Sequence, residues 1–93
     1  MALQFEWDGA KAKSNLAKHE IGFEEAATVF GDSASLTIDD PDHSQSEMRF
    51  VTIGKSHTTK VLVVVHTERG DNIRIISARR ASRKERKVYE ESR

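Results

Sequence analysis

A chain of 93 residues without cysteine has no disulfide framework, no iron–sulfur centre and no thiol nucleophile. It carries no apolar run long enough to span a membrane and no charged-then-apolar leader, so a cytoplasmic protein with one domain over residues 1–93 is expected. The formal net charge is zero, yet residues 1–47 hold three basic and ten acidic side chains, and residues 69–93 hold nine basic and four acidic. Such a separation fits a polyanion-binding surface, an acidic partner, or two solvated faces that neutralise each other.

In chain order, Leu3-Gln4-Phe5-Glu6-Trp7 alternates apolar and polar and predicts a short, half-buried strand. Asp8 stands where a helix N-cap belongs, and a helix follows to Lys18-His19, whose positive charges suit its C-terminal dipole. Ala12, Leu16 and His19 share one stripe of that helix, and Lys11, Ser14, Asn15 and Lys18 another. Phe23, Ala26, Ala27 and Phe30 recur at i, i+3, i+4 and i+7, predicting a second short helix that Gly31 closes.

From Ser35 the pattern becomes that of strands: 35–39, then 47–53, then the run Val61-Leu62-Val63-Val64-Val65, then 73–78. The third is apolar on both faces and belongs in the centre of a sheet. Its link to the fourth, Glu68-Arg69-Gly70-Asp71-Asn72, predicts an antiparallel hairpin. Ser82-x-x-Glu85 has the form of a capping box and opens a last helix. The order predicts a small α+β fold, an antiparallel sheet with helices on one face.

Polar side chains stand in unexpected places on these strands. By strict alternation Glu47 and Arg49 share a face with Val51 and Ile53, His66 shares one with Leu62 and Val64, and Ser77 and Arg79 share one with Ile73 and Ile75, with Arg74 opposite. An arginine among isoleucines needs an acceptor, either a protein carboxylate or a phosphate matched to the guanidinium fork. RNA cleavage without metal needs a group to take the 2′-hydroxyl proton, a group to protonate the leaving oxygen, and cations for the phosphorane charge. Glu47 or His66 are candidates for proton transfer, and Arg49, Arg69 and Arg79 for charge stabilisation.

The stretch Arg79-Arg80-Ala81-Ser82-Arg83-Lys84-Glu85-Arg86-Lys87 reads either as a solvated helix face or as a surface tracking phosphates, with Arg80, Arg83 and Lys84 as contacts. Tyr89 is positioned to stack on a base or to dock on the core. His19, His43, His57 and His66 lack metal-ligand spacing, no glycine-rich phosphate loop is present, and Ser77 has no glycine elbow; neither metal nor cofactor is expected.

Phe5-Glu6-Trp7-Asp8, Lys11, Asn15-Leu16-x-Lys18-His19 and Phe23-x-Glu25-Ala26 resemble the opening of the BrnT toxin family. The likeness continues through Asp42-His43-Ser44-x-x-Glu47-x-Arg49, Ile53-Gly54-x-Ser56, Val63-Val64-Val65-x-Thr67-x-Arg69 and Ile73-Arg74-Ile75-Ile76-Ser77-Ala78-Arg79, to Glu85 and Tyr89-Glu90-Glu91. This resemblance implies a RelE-like ribonuclease fold, growth arrest by RNA cleavage, and neutralisation by a BrnA-type antitoxin. Such a pair contacts operator DNA only through the antitoxin. It maps the family motifs onto Lys18 and His19, Glu47 and Arg49, and Arg69, Ser77 and Arg79. One departure is Glu20, where a helix-ending glycine is usual in the family; here the glycine is Gly22. The alternative to a ribonuclease is a non-catalytic RNA-binding or protein-interaction module built on the same basic residues.

Overall fold

The computed structural model describes residues 3–40 and 48–92. Its elements run β1 (Gln4–Glu6), α1 (Gly9–His19), α2 (Phe23–Thr28) with a 3₁₀ turn over Val29–Gly31, β2 (Leu36–Asp39), β3 (Arg49–Lys55), β4 (Val61–Arg69), β5 (Asn72–Arg80) and α3 (Arg83–Glu91). The strands form one sheet in the order β1-β5-β4-β3-β2, which puts β4 at its centre. The sheet is mixed rather than wholly antiparallel: β1 lies parallel to β5, with Phe5 opposite Ile73. A return of the chain through two helices makes that parallel pairing possible, whereas the other strands are joined as antiparallel neighbours.

Local chemistry accounts for the element ends. Asp8 accepts from the backbone N–H groups of Ala10 and Lys11 and so caps α1. Ser82 and Glu85 complete a reciprocal capping box on α3. Gly70 sits at φ +60° in the two-residue link of β4 and β5, where a positive φ matches the twist of the strands. Strands β3 to β5 each run two or more residues beyond the boundaries expected from the apolar runs, because ladder bonds continue through Lys55, Arg69 and Arg80.

The core lies between the helices and one sheet face. Ile21, Phe23, Ala26 and Val29 from the helical side meet Leu62, Val64, Ile75 and Ala78 from the sheet. Each of these eight side chains is almost fully removed from water, and burial of a side chain the size of Val, Leu or Phe stabilises by about 1.5–3 kcal/mol. Gly54 is required by this packing: a Cβ there would stand 2.7 Å from Val29 Cγ1. Helix α3 folds back against β3 and is anchored by Tyr89, whose hydroxyl donates to Asp32 Oδ2 at 2.6 Å. Among the described residues no helix is long and apolar enough to cross a membrane.

Strict alternation fails on β5. Val65 pairs with Ser77 but His66 pairs with Ile75, so Ile76 is an extra residue and a β-bulge lies at this point. Partners across a ladder share a face. Ser77 and Arg79 therefore lie with Val65 and Val63 on the face away from the main core, together with Arg74 beside Thr67. Ile73 and Ile75 remain on the core side with Glu68 and His66. The expectation that Ser77 and Arg79 share a face with Ile73 and Ile75 is corrected accordingly; one inserted residue inverts the phase.

Candidate functional site

The bulge shapes the site. Two adjoining depressions of about 200 and 160 Å³ meet at Ile76 and Ser77. The first is bounded by Lys11, Ser14, Asn15, Lys18 and His19 of α1, and the second by Asp40, Arg49 and Val65. Lys11, Ser14, Asn15 and Lys18 are spaced so that one helical stripe presents all four toward β5. Ser77, half-buried on the bulged strand, stands between the cations of α1 and Arg49 of β3. The result is a shallow strip with the lysines of α1 along one flank, Arg49 with Asp40 along the other, and a hydroxyl at its middle.

Four of the residues expected at the site, Lys18, His19, Arg49 and Ser77, are brought together in this strip. The others are not. Arg69 ends β4 opposite Asn72, whereas Arg79 lies six rows away opposite Val63. At about 3.3 Å per residue, roughly 20 Å of strand separate those rows, so the candidates Arg69 and Arg79 do not meet in one site: β4 and β5 are antiparallel, and their C-terminal ends point opposite ways. Arg74 is engaged by Glu6, its Nη1 donating to Oε2 at 2.9 Å. Arg79 forms a two-pronged pair with Glu85, at 2.7 and 2.8 Å, and thereby ties the start of α3 to the end of β5. Hydrogen bonds from Arg79 hold the Glu85 carboxyl down at about 2.

His66 and Tyr89 are corrected as surface candidates. His66 is 5% exposed, edge-on to Phe30 and stacked on Phe50. Its Nε2 is hydrogen-bonded to Thr52 Oγ1 at 2.7 Å, and Thr52 in turn to Thr37 at 2.8 Å. Its Nδ1 has no partner among the described residues, and burial pushes the imidazole down to about 4. A histidine following Leu62 and Val64 on the inner face of the central strand is a core residue with a polar tether. Tyr89 is 2% exposed, with its ring withdrawn from any base. Arg80, Arg83 and Lys84 are exposed near and along the first turn of α3. Glu47 and His43 lie outside the described residues.

Sequence reasoning left Lys11 and Asp40 out of the site. Lys11 was within reach of it, since it shares the stripe of Lys18. Asp40 was not, because its place depends on how the chain turns after β2, where its backbone N–H meets the carbonyl of Arg49.

Comparison with known proteins extends these observations. A search of curated proteins gives no match. Among solved structures, the crystal structure of the Brucella abortus ribonuclease toxin BrnT superposes with a TM-score of 0.65 over 88% of this chain and 100% of that one, at 22% identity, which is a likeness of fold. The family model for BrnT, described as the ribonuclease toxin of a type II toxin–antitoxin system, matches residues 7–85. With the match running from Trp7, just after β1, to the first turn of α3, the chain belongs to the BrnT family of ribonuclease toxins of type II toxin–antitoxin systems.

Proposed function

We propose that this chain, acting as one toxin unit in the cytoplasm, is an endoribonuclease that cuts RNA without a metal ion, arrests translation and growth, and is neutralised by a BrnA-type antitoxin. The observation that carries this reading is the junction of the two depressions at Ser77, with Lys11, Lys18 and His19 on one flank and Arg49 on the other. A backbone phosphate seated over Ser77 meets ammonium groups from one side and a guanidinium from the other. Those cations favour the extra negative charge of the phosphorane more than that of the ground-state diester, which is the requirement for acceleration. The 2′-oxygen attacks the adjacent phosphorus, the 5′-oxygen leaves, and a cyclic phosphate remains. His19, half-buried on the rim, is the imidazole in the strip that can take or give the proton.

The test is cleavage of an RNA substrate by the purified chain in the presence of a chelator, with Lys18→Ala and Arg49→Ala alongside. Each variant is expected to lose about 10²-fold or more in rate while unfolding at an unchanged denaturant concentration. Full activity in both variants, or activity that vanishes with chelation, overturns the reading. Induction of the chain alone in a bacterial host gives the cellular counterpart. Growth arrest with RNA fragmentation, reversed by co-expressing the partner, is the expected outcome.

A further inference from the structure

Helix α3 carries its charges the wrong way round for its own stability. A helix favours acidic side chains in its first turn and basic ones in its last. Here Arg83 and Lys84 lie in the first turn, Glu90 and Glu91 lie in the last, and no basic residue stands there. The one acidic side chain in the first turn, Glu85, is consumed by Arg79 and the capping box. Arg83, Lys84 and Lys87 are exposed and have no ion-pair partner among the described residues. At about 100° per residue, those three fan across the side of the helix turned away from Tyr89, its buried anchor.

The position of this cationic face is fixed relative to the cleavage strip. Ser77 and Arg79 lie on the same face of β5, two residues apart, and Arg79 grips Glu85 at the start of α3. The chain thus leads from the floor of the strip, past Arg79, to the first turn of the helix. The adverse order of charges makes sense if a polyanion occupies that turn.

We infer that the outer face of α3, through Arg83, Lys84 and Lys87, is a second RNA-contacting surface that holds the sugar–phosphate backbone beyond the cleaved bond, without reading its sequence. It rests on the ribonuclease reading only for the identity of the polyanion. Its contribution is to affinity: the surface lies outside the strip and touches no reacting atom. Contacts of this kind release counterions and depend steeply on salt.

The experiment compares the full chain with Arg83→Gln/Lys84→Gln/Lys87→Gln. The probe is a fluorescent single-stranded oligoribonucleotide made uncleavable by 2′-O-methylation, titrated over a series of salt concentrations. Affinity at about 0.1 M salt is expected to fall by ten- to a hundredfold, and the slope of log K against log salt to flatten by about 0.7 for each lost phosphate contact. With a cleavable RNA, KM rises and kcat holds. Thermal stability of the triple variant is expected to stay level or rise, because two misplaced first-turn cations are gone, so lost binding does not reduce to lost folding. Unchanged affinity and salt slope overturn the inference and turn the face toward another partner, as does a kcat that falls in step with binding. Should the unaltered chain bind RNA through this face yet cut none, the ribonuclease reading fails and this surface stands.

Discussion

Asn15 and Ala78, 63 residues apart, exchange two hydrogen bonds: Asn15 Nδ2 donates to the Ala78 carbonyl at 2.8 Å, and the Ala78 N–H donates to Asn15 Oδ1 at 3.1 Å. Strand β1 covers the outer edge of β5 only from Asn72 to Arg74. Beyond it, the side-chain amide acts as a one-residue strand, offering Ala78 the donor and acceptor that a neighbouring backbone would. The same Nδ2 donates to Ile21 O at 3.0 Å and so fixes the turn between α1 and α2. This buried side chain thus holds α1, and with it Lys11 and Lys18, against the bulged strand.

Replacing Asn15 by alanine leaves two backbone carbonyls and an N–H without their partner. A buried polar group left unpaired costs about 1–3 kcal/mol, and partial access of water keeps the total to about 3 kcal/mol. Urea unfolding of Asn15→Ala should show a loss of that size. A change below about 0.5 kcal/mol, within the range of ordinary surface substitutions, would mean that water replaces the amide at no cost.

The asparagine shows how far the sequence is legible. Periodicity gave every helix and strand in order, and Ser82-x-x-Glu85 named its own cap, because those signals are local. Asn15 read only as part of a polar stripe with Lys11, Ser14 and Lys18, since its partner Ala78 is in a distant strand. The bulge at Ile76 has no local mark in the run Ile73-Arg74-Ile75-Ile76-Ser77, and it alone decides which face Ser77 and Arg79 occupy. His66 read as chemistry because an imidazole in a sheet is unusual; Phe30 and Phe50, which enclose it, come from distant segments. Of the strip, the side built on α1 was visible as a stripe, whereas its meeting with Arg49 depends on the tertiary fold.

His66 makes stability depend on pH. Its folded-state value, about 4, lies below the ordinary 6.5, so between these values the unfolded chain binds the proton more readily. The stabilisation is complete above pH 6.5 and is lost as pH falls toward 4. For a shift of this size the loss is about 3 kcal/mol. Denaturant unfolding of the wild type and His66→Gln from pH 7 to 4 isolates it, since the carboxylates titrate in both. The gap between the two curves should change across that window; parallel curves would mean that the buried ring does not titrate with unfolding.

The pair of Arg79 and Glu85 is closer to the surface, with side chains 45% and 29% exposed, and solvent screening keeps its coupling to about 1 kcal/mol or less. The depressed carboxyl gives a second signature. Because Glu85 sits at about 2, the pair contributes fully above pH 4.5 and is lost as pH falls through 2. Arg79→Ala should raise the Glu85 value back toward the ordinary carboxyl range, readable by NMR titration of its side chain. A double-mutant cycle with Glu85→Gln should give the small coupling. If Arg79→Ala instead abolished RNA cleavage with Glu85 unmoved, Arg79 would belong to the chemistry and not to the seating of α3.

Glu20 offers a gain in stability. It ends α1 in the left-handed region, φ 60° and ψ 27°, with its N–H returning to the Leu16 carbonyl at 2.9 Å. A side chain with a Cβ pays about 1 kcal/mol in that conformation, and glycine adopts it freely. The carboxylate adds a small penalty, because the C-terminal end of a helix dipole repels negative charge. Glu20→Gly should therefore stabilise the chain by about 1 kcal/mol, a rise of roughly 4–8 °C in Tm for a domain of this size. Glu20→Gln separates the two causes, since it removes the charge and keeps the Cβ, and it should recover only a few tenths of a kcal/mol. A glycine variant no more stable than wild type would show that freedom gained by the unfolded chain cancels the relief of strain. Since His19 immediately precedes this cap and lines the strip, a firmer helix end should also leave RNA cleavage unchanged or faster, never slower.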